Sequence, residues 1–186
     1  ELYASVRPKF LHHSEHISYV EARFIDINPM SKIGLTAEML QFIHGLAIYG
    51  LLTDEQNDFS SEFQSIANMN HGNISLYGLL EKLIFIREDG SKSDAWEEAK
   101  LLVSNMQSLF TTLGIENEDY LNTFKYVQEM IQYPQRRIVH QLLNETDVHG
   151  FIPFHLVLAK QYLQASEINK FNFRGLEDME LSTQLV

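Results

Sequence analysis

The sequence predicts an all-α protein built from stacked helical repeats, with a helical bundle as the alternative arrangement. Three observations predict it. Only nine glycines and four prolines occur in 186 residues, and long stretches lack both, so helix-breaking punctuation is sparse. Apolar residues recur at helical spacing, most clearly Met39, Leu40, Ile43, Ala47 and Leu51. A nine-residue phrase also occurs twice, as Asp26-Ile27-Asn28-Pro29-Met30-Ser31-Lys32-Ile33-Gly34 and as Glu167-Ile168-Asn169-Lys170-Phe171-Asn172-Phe173-Arg174-Gly175. A turn signature that returns between helical stretches is the mark of repeat architectures.

The elements follow in order. Residues 1–25 read as one or two helical turns, a break at Pro8, and a helix from Phe10 to Phe24. Thr36–Leu52 is the first strongly periodic helix, and Thr53-Asp54 reads as the cap of a more polar one reaching Ala67. Asn68–Gly72 reads as a turn, with an apolar helix from Ser75 to Ile86 beyond it. Arg87–Ser93 is a surface loop rich in charge, Gly and Ser. Ser93 or Asp94 then caps a long amphipathic helix through Trp96, Leu102, Met106 and Phe110, stopping at Leu113-Gly114, where Gly takes the left-handed conformation without penalty. Asn117–Ile131 is a helix ended by Pro134, residues 135–144 a short one, and Pro153–Ser166 the last. No strand is expected.

Composition narrows the function classes. A hydrophobic fraction of 45% supports a packed core. The net charge of −11 opposes nucleic-acid and anionic-membrane partners and favours a protein partner with a basic face. No cysteine is present, which excludes disulfides and thiol chemistry within these residues. No apolar run reaches the roughly 18–20 residues of a membrane span. The N-terminal Glu-Leu-Tyr-Ala-Ser lacks an initiating Met and an apolar signal region, which suggests a domain excised from a longer protein.

The segment from Ile138 to Ala159 resembles an ankyrin repeat. Gly150, Pro153 and His155 match that family's Gly-x-Thr-Pro-Leu-His-x-Ala signature, with Phe154 in the place of Leu. The repeated phrase fits the same template before Gly34 and Gly175, and Asn68–Gly72 with Ser75-Leu76-Tyr77 looks like a further copy with a shortened finger. The glycines are unequally spaced, against a family period of roughly 33 residues. The resemblance implies an irregular ankyrin-like helical-repeat solenoid over residues 26–186, with residues 1–25 as a helical cap or the continuation of a preceding domain.

The function so implied is a protein–protein interaction module of a larger protein. Its finger tips would present Lys32, Ile33 and Leu35, then His71 and Asn73, then Val148, His149 and Phe151. No catalytic residue, metal ligand or cofactor is assigned on this reading. The location expected is the cytoplasm, or a host cytosol for a secreted bacterial effector. The alternative is a helical fragment of a metal-dependent enzyme that uses His12, His13 and His16 with Glu15, where His12 and His16 share a helix face. His44 reads as a packed core histidine, His155 as the structural histidine of the repeat, and Arg136-Arg137 as a solvated helix start.

Overall fold

Helix initiation follows the short polar side chains. In the computed structural model, which describes residues 6–11, 15–53, 60–80, 82–115 and 117–168, α1 (Ala37–Leu52) opens with Thr36 accepting from the Met39 N–H at 3.2 Å. Helix α2 (Ser61–Tyr77) opens on Ser60, which accepts from Phe63 N–H at 3.1 Å. Asp94 accepts from Trp96 N–H at 2.9 Å to start α3 (Ala95–Thr112), and Asn117 from Asp119 N–H at 2.8 Å to start α4 (Glu118–Gln132). Each such cap stabilises its helix by about 1 kcal/mol. A 3₁₀ turn at Pro134–Arg136 leads into α5 (Ile138–His149), and Gly150, at φ 80°, turns the chain into α6 (Phe151–Ile168).

The chain is mostly helical but not all-α. β1 (Val6–Lys9) pairs antiparallel with β2 (Tyr19–Ala22), with Val6 opposite Ala22 and Lys9 opposite Tyr19. β3 (Ile84–Ile86) pairs with β4 (Lys92–Asp94) across the charged 87–91 loop, where Gly90 sits at φ 79°. The helix expected over Phe10–Phe24 is therefore wrong. Val6-Arg7-Pro8-Lys9-Phe10 and Tyr19-Val20-Glu21-Ala22-Arg23-Phe24 alternate apolar and charged residues with period two, which is a strand pattern. Pro8 is compatible with it because an edge strand can forgo one N–H.

The core is a helix triad, not a stack of repeats. Val103, Met106 and Phe110 of α3 and Tyr120, Phe124 and Ile131 of α4 form the buried cluster, with Phe42, Leu46 and Tyr49 of α1 packed against it. Phe110 meets the Tyr120 ring edge-on at 4.7 Å and the Phe124 ring at 5.3 Å. Gly45 lets α1 approach this knot. A Cβ there would lie 3.4 Å from the Met106 methyl and 3.6 Å from both Phe110 and Tyr120.

The turn expected at Asn68–Gly72 is instead the middle of α2. Asn70 is buried, and its amide donates to Ile86 O at 2.7 Å while its oxygen accepts from Ile86 N–H at 2.9 Å. The side chain that would compete with its own helix backbone is thus satisfied by β3, which replaces the helix expected over Ser75–Ile86. Asp94 ties the same hairpin to α3, accepting from Leu83 N–H at 3.2 Å as well as from Trp96.

The solenoid expectation fails on these points: the Asn68–Gly72 finger does not exist, and His155 bonds to Phe151 O within its own helix at 2.7 Å instead of bridging two repeats. Most of the second copy of the repeated phrase lies outside the described residues. The division at residue 25 has no counterpart as a helical cap, since residues 6–9 and 19–22 are strands.

Two substitutions test this packing by urea denaturation. Gly72→Ala, at a helical position with open space around its missing Cβ, raises stability by about 0.5–1 kcal/mol. Phe124→Ala lowers it by about 3–5 kcal/mol.

Candidate functional site

Strand alternation sorts the β1–β2 ribbon into two chemically distinct faces. Arg7 stands opposite Glu21 and Lys9 opposite Tyr19 in the ladder, so these four share a face, which Arg23 extends two residues beyond Glu21. Val6, Pro8, Val20 and Ala22 take the other. Arg23 grips Glu21 with two bonds, Nη2 to Oε2 at 3.0 Å and Nε to Oε1 at 2.9 Å, and Lys9 Nζ reaches Oε2 at 3.1 Å. One carboxylate is thus held by two cations, with Arg7 opposite it in the ladder, in a chain whose net charge is −11. The hydrogen bond from Arg23, followed by that from Lys9, holds the Glu21 carboxyl below the usual glutamate range.

The chain leaves the ribbon through a loop closed on itself. Asn28 N–H donates to Gly34 O at 2.7 Å, and Met30 N–H to the Asn28 side-chain oxygen at 3.0 Å. Ser31 N–H bonds back to Asn28 O at 3.1 Å, and Gly34 N–H to Ser31 O at 2.9 Å. Gly34 takes φ 78°, where a Cβ would come within 3.1 Å of the Ile27 side chain. Asn28 is buried under this ring of bonds, and Tyr162 Oη of α6 donates to Pro29 O at 3.1 Å. An apolar cleft of about 450 Å³ opens beside it, walled by Phe24 and Ile27, by Met39 and Phe42 of α1, and by Ile138 and Leu142 of α5. Cationic face, rigid loop and apolar cleft follow one another along residues 7–29. The guanidinium and ammonium groups of this face donate only, and their geometry matches carboxylate or phosphate oxygens.

The proposed finger residues do not form one surface feature. Lys32, Ile33 and Leu35 lie on the 26–35 loop, with Ile33 77% exposed. His71 and Asn73 sit inside α2, and Val148 and His149 in the last turn of α5, where His149 faces Glu145 at 3.7 Å. Phe151 begins α6 and packs its ring on His155 at 4.2 Å. His12 and His13 of the histidine cluster lie outside the described residues, and no group of three His, Asp or Glu side chains able to hold a metal occurs among those described. His44 hydrogen-bonds through Nδ1 to Tyr120 at 2.6 Å at the margin of the core rather than inside it. Arg137 is no solvated helix start. Its guanidinium lies 3.5 Å from the Trp96 ring centre, donates to Met130 O at 2.9 Å, and is pushed below its ordinary pKa by burial.

Residues 1–74, which hold the ribbon, the loop, α1 and most of α2, match the family model of glutamate-cysteine ligase. The chain is similar to ligases, not to ankyrins. It is 33% identical over 170 residues to the glutathione biosynthesis bifunctional protein GshAB of Clostridium perfringens, covering 91% of this chain and 22% of that protein. Against the glutamate–cysteine ligase of Wigglesworthia glossinidia brevipalpis it is 26% identical over 192 residues, covering 95% of this chain and 38% of the relative. The crystal structure of glutamate–cysteine ligase from Francisella tularensis in complex with AMP superposes with a TM-score of 0.82 at 16% identity, over 90% of this chain and 35% of that one. The last comparison shows the fold alone. The chain thus spans about a fifth of the bifunctional relative's length.

These matches overturn both the ankyrin assignment and the interaction-module function drawn from it, and they agree better with the alternative reading of an enzyme fragment. A secreted-effector role loses its basis with the ankyrin assignment. Among the described residues no helix is long and apolar enough to cross a membrane. The charged cluster that helical reading missed, Lys9, Glu21 and Arg23, was marked in the sequence by the period-two alternation of each strand.

The ion-pair geometry sets a pH test. Because the folded-state pKa of Glu21 is depressed, its contribution to the ribbon is present above the ordinary glutamate pKa and lost as pH falls through the lowered one. Carboxyl-carbon NMR titration should find Glu21 ionising below an ordinary glutamate, and Arg23→Gln should move that midpoint upward.

Proposed function

We propose that this chain is a segment of a bacterial glutamate–cysteine ligase, in which the charged face of the β1–β2 ribbon lines part of the active site. The observation that carries this reading is the cluster of Arg7, Lys9 and Arg23 around Glu21 inside the segment that matches the ligase family model. Relatives aligning over nearly the whole chain support it.

The chemistry suits the residues. Joining a carboxylate to an amine in water needs the carboxylate activated, and the AMP complex of the Francisella ligase points to a nucleotide as the activator. Every species in such a reaction that carries charge on oxygen is an anion. Arg23 and Lys9 present N–H donors to those oxygens, and fixed donors of this kind act most strongly where charge develops in the transition state. Glu21 is the carboxylate of this face that is kept ionised. With both of its oxygens engaged by Arg23 and Lys9, Glu21 orients these donors and does not fit the role of a metal ligand. In the absence of ligand Glu21 also holds the Arg23 fork in plane.

The ribbon alone is not an active site. Two strands are marginal by themselves, and among the described residues β1 and β2 pack on each other and on no other regular element. In the ligase the remaining walls come from polypeptide beyond this segment, with the α1–α3–α4 core as the scaffold. A cytoplasmic location belongs to this reading.

Steady-state kinetics of the full-length polypeptide carrying Arg23→Gln or Glu21→Gln tests the assignment. Each variant should lose about a hundredfold or more in kcat/KM for ligation while keeping its helical circular dichroism. Near-normal rates in both would remove the ribbon from the active site.

A further inference from the structure

Helix α6 carries apolar side chains on two faces. Phe154, Leu158, Tyr162 and Ala165 recur at helical spacing and are half-buried, as is His155; among the described residues the helix packs on α5 and is pinned to the 26–35 loop through Tyr162. Ile152, Leu156, Ala159 and Leu163 form a second stripe. At 3.6 residues per turn this stripe lies within about 60° of arc and is centred roughly 135° around the helix from the first. Its three large members are 69%, 56% and 62% exposed in chain order. No charged residue interrupts the stripe, and Lys160 and Glu167 are the only Lys, Arg, Asp or Glu in the helix. A helix that is apolar on both faces belongs between two layers, and among the described residues one layer is present.

We infer that the Ile152–Leu156–Ala159–Leu163 stripe is an internal packing surface, covered by an apolar face of the remainder of the same ligase polypeptide. The inference rests on the ligase reading, under which most of the polypeptide lies outside this segment, since the chain spans 22% of the clostridial relative and 38% of the Wigglesworthia ligase. A second copy of the chain fits worse on two counts. The stripe is only about 16 Å long, while a stable association between separate proteins engages roughly 20–30 residues a side. Two copies would also bring together net charges of −11 each, which repel. A covalently tethered partner escapes both limits, because its effective concentration is on the order of millimolar and a short stripe then suffices.

Thiol labelling reads this directly, because the segment has no cysteine of its own. Leu156→Cys and Leu163→Cys are made separately in the full-length polypeptide, with Gln164→Cys, an exposed position off the stripe, as the reference. N-ethylmaleimide modification of the peptide bearing each new thiol is followed by mass spectrometry. Labelling at 156 and 163 about tenfold or more slower than at 164, and unchanged on dilution, is the expected result. Equal rates at all three positions would overturn the inference, as would protection that disappears on dilution, which would assign the stripe to a second copy. A gene product that ends with this segment would overturn it as well. Ligation measured on the same preparations separates the two readings: an inactive protein with a protected stripe refutes the ligase assignment alone, and an active protein with an open stripe refutes the interface alone.

Discussion

The close approach of α1 to the aromatic knot of α3 and α4 is the constraint on which the rest of the structure depends. Gly45 leaves room for the Met106 methyl and for the Phe110 and Tyr120 rings within 3.4–3.6 Å of where its Cβ would be. A single methyl there would make ordinary contacts at these distances, whereas a side chain longer than alanine's would push α1 outward in an interior that tolerates little change of volume. Because α1 begins three residues after Gly34, that contact also fixes one end of the 26–35 loop. The ring of backbone bonds around Asn28 fixes the other end. Buried packing is thereby transmitted through a short rigid connection to Arg23 and Glu21.

The second half of the molecule is held by polar groups that do two tasks each. Asn70 pairs with both backbone groups of Ile86, and Asp94 caps α3 while accepting from Leu83. Arg137 covers the Trp96 ring and binds the carbonyl oxygens of Met130 and Ile131 at the end of α4. Each joins segments distant in sequence, so none of them could be read from local pattern. That is why Asn68–Gly72 looks like a turn in the sequence and is helix in the structure.

Local chemistry was a good guide where it acts locally. The cap at Asp94, the stop at Leu113-Gly114 and a loop over residues 87–91 stand in the structure, whereas Thr53, read as the start of the second helix, ends α1, and α2 opens at Ser60. Short strands were missed because three or four residues of alternation carry little weight beside strong helical periodicity elsewhere. The resemblance to ankyrin repeats rested on Gly150, Pro153 and His155, and these residues do turn the chain and begin a helix. A turn–Pro–helix phrase is common to many helical hairpins, however, and says nothing of stacking. The repeated Asp-Ile-Asn phrase was informative in a different way from the one expected: its first copy is the closed loop below the ribbon, at the edge of the apolar cleft. The charged face of the ribbon was visible only as a period of two, and its likeness to ligases came from comparison, not from composition.

The central proposal is that this chain is a segment of a polypeptide that ligates glutamate to cysteine. Its most direct test is to incubate the full-length polypeptide with glutamate, cysteine and ATP and to look for the dipeptide by mass spectrometry. The account predicts glutamylcysteine formed in step with nucleotide consumption. A folded, nucleotide-competent protein that yields no dipeptide would contradict it.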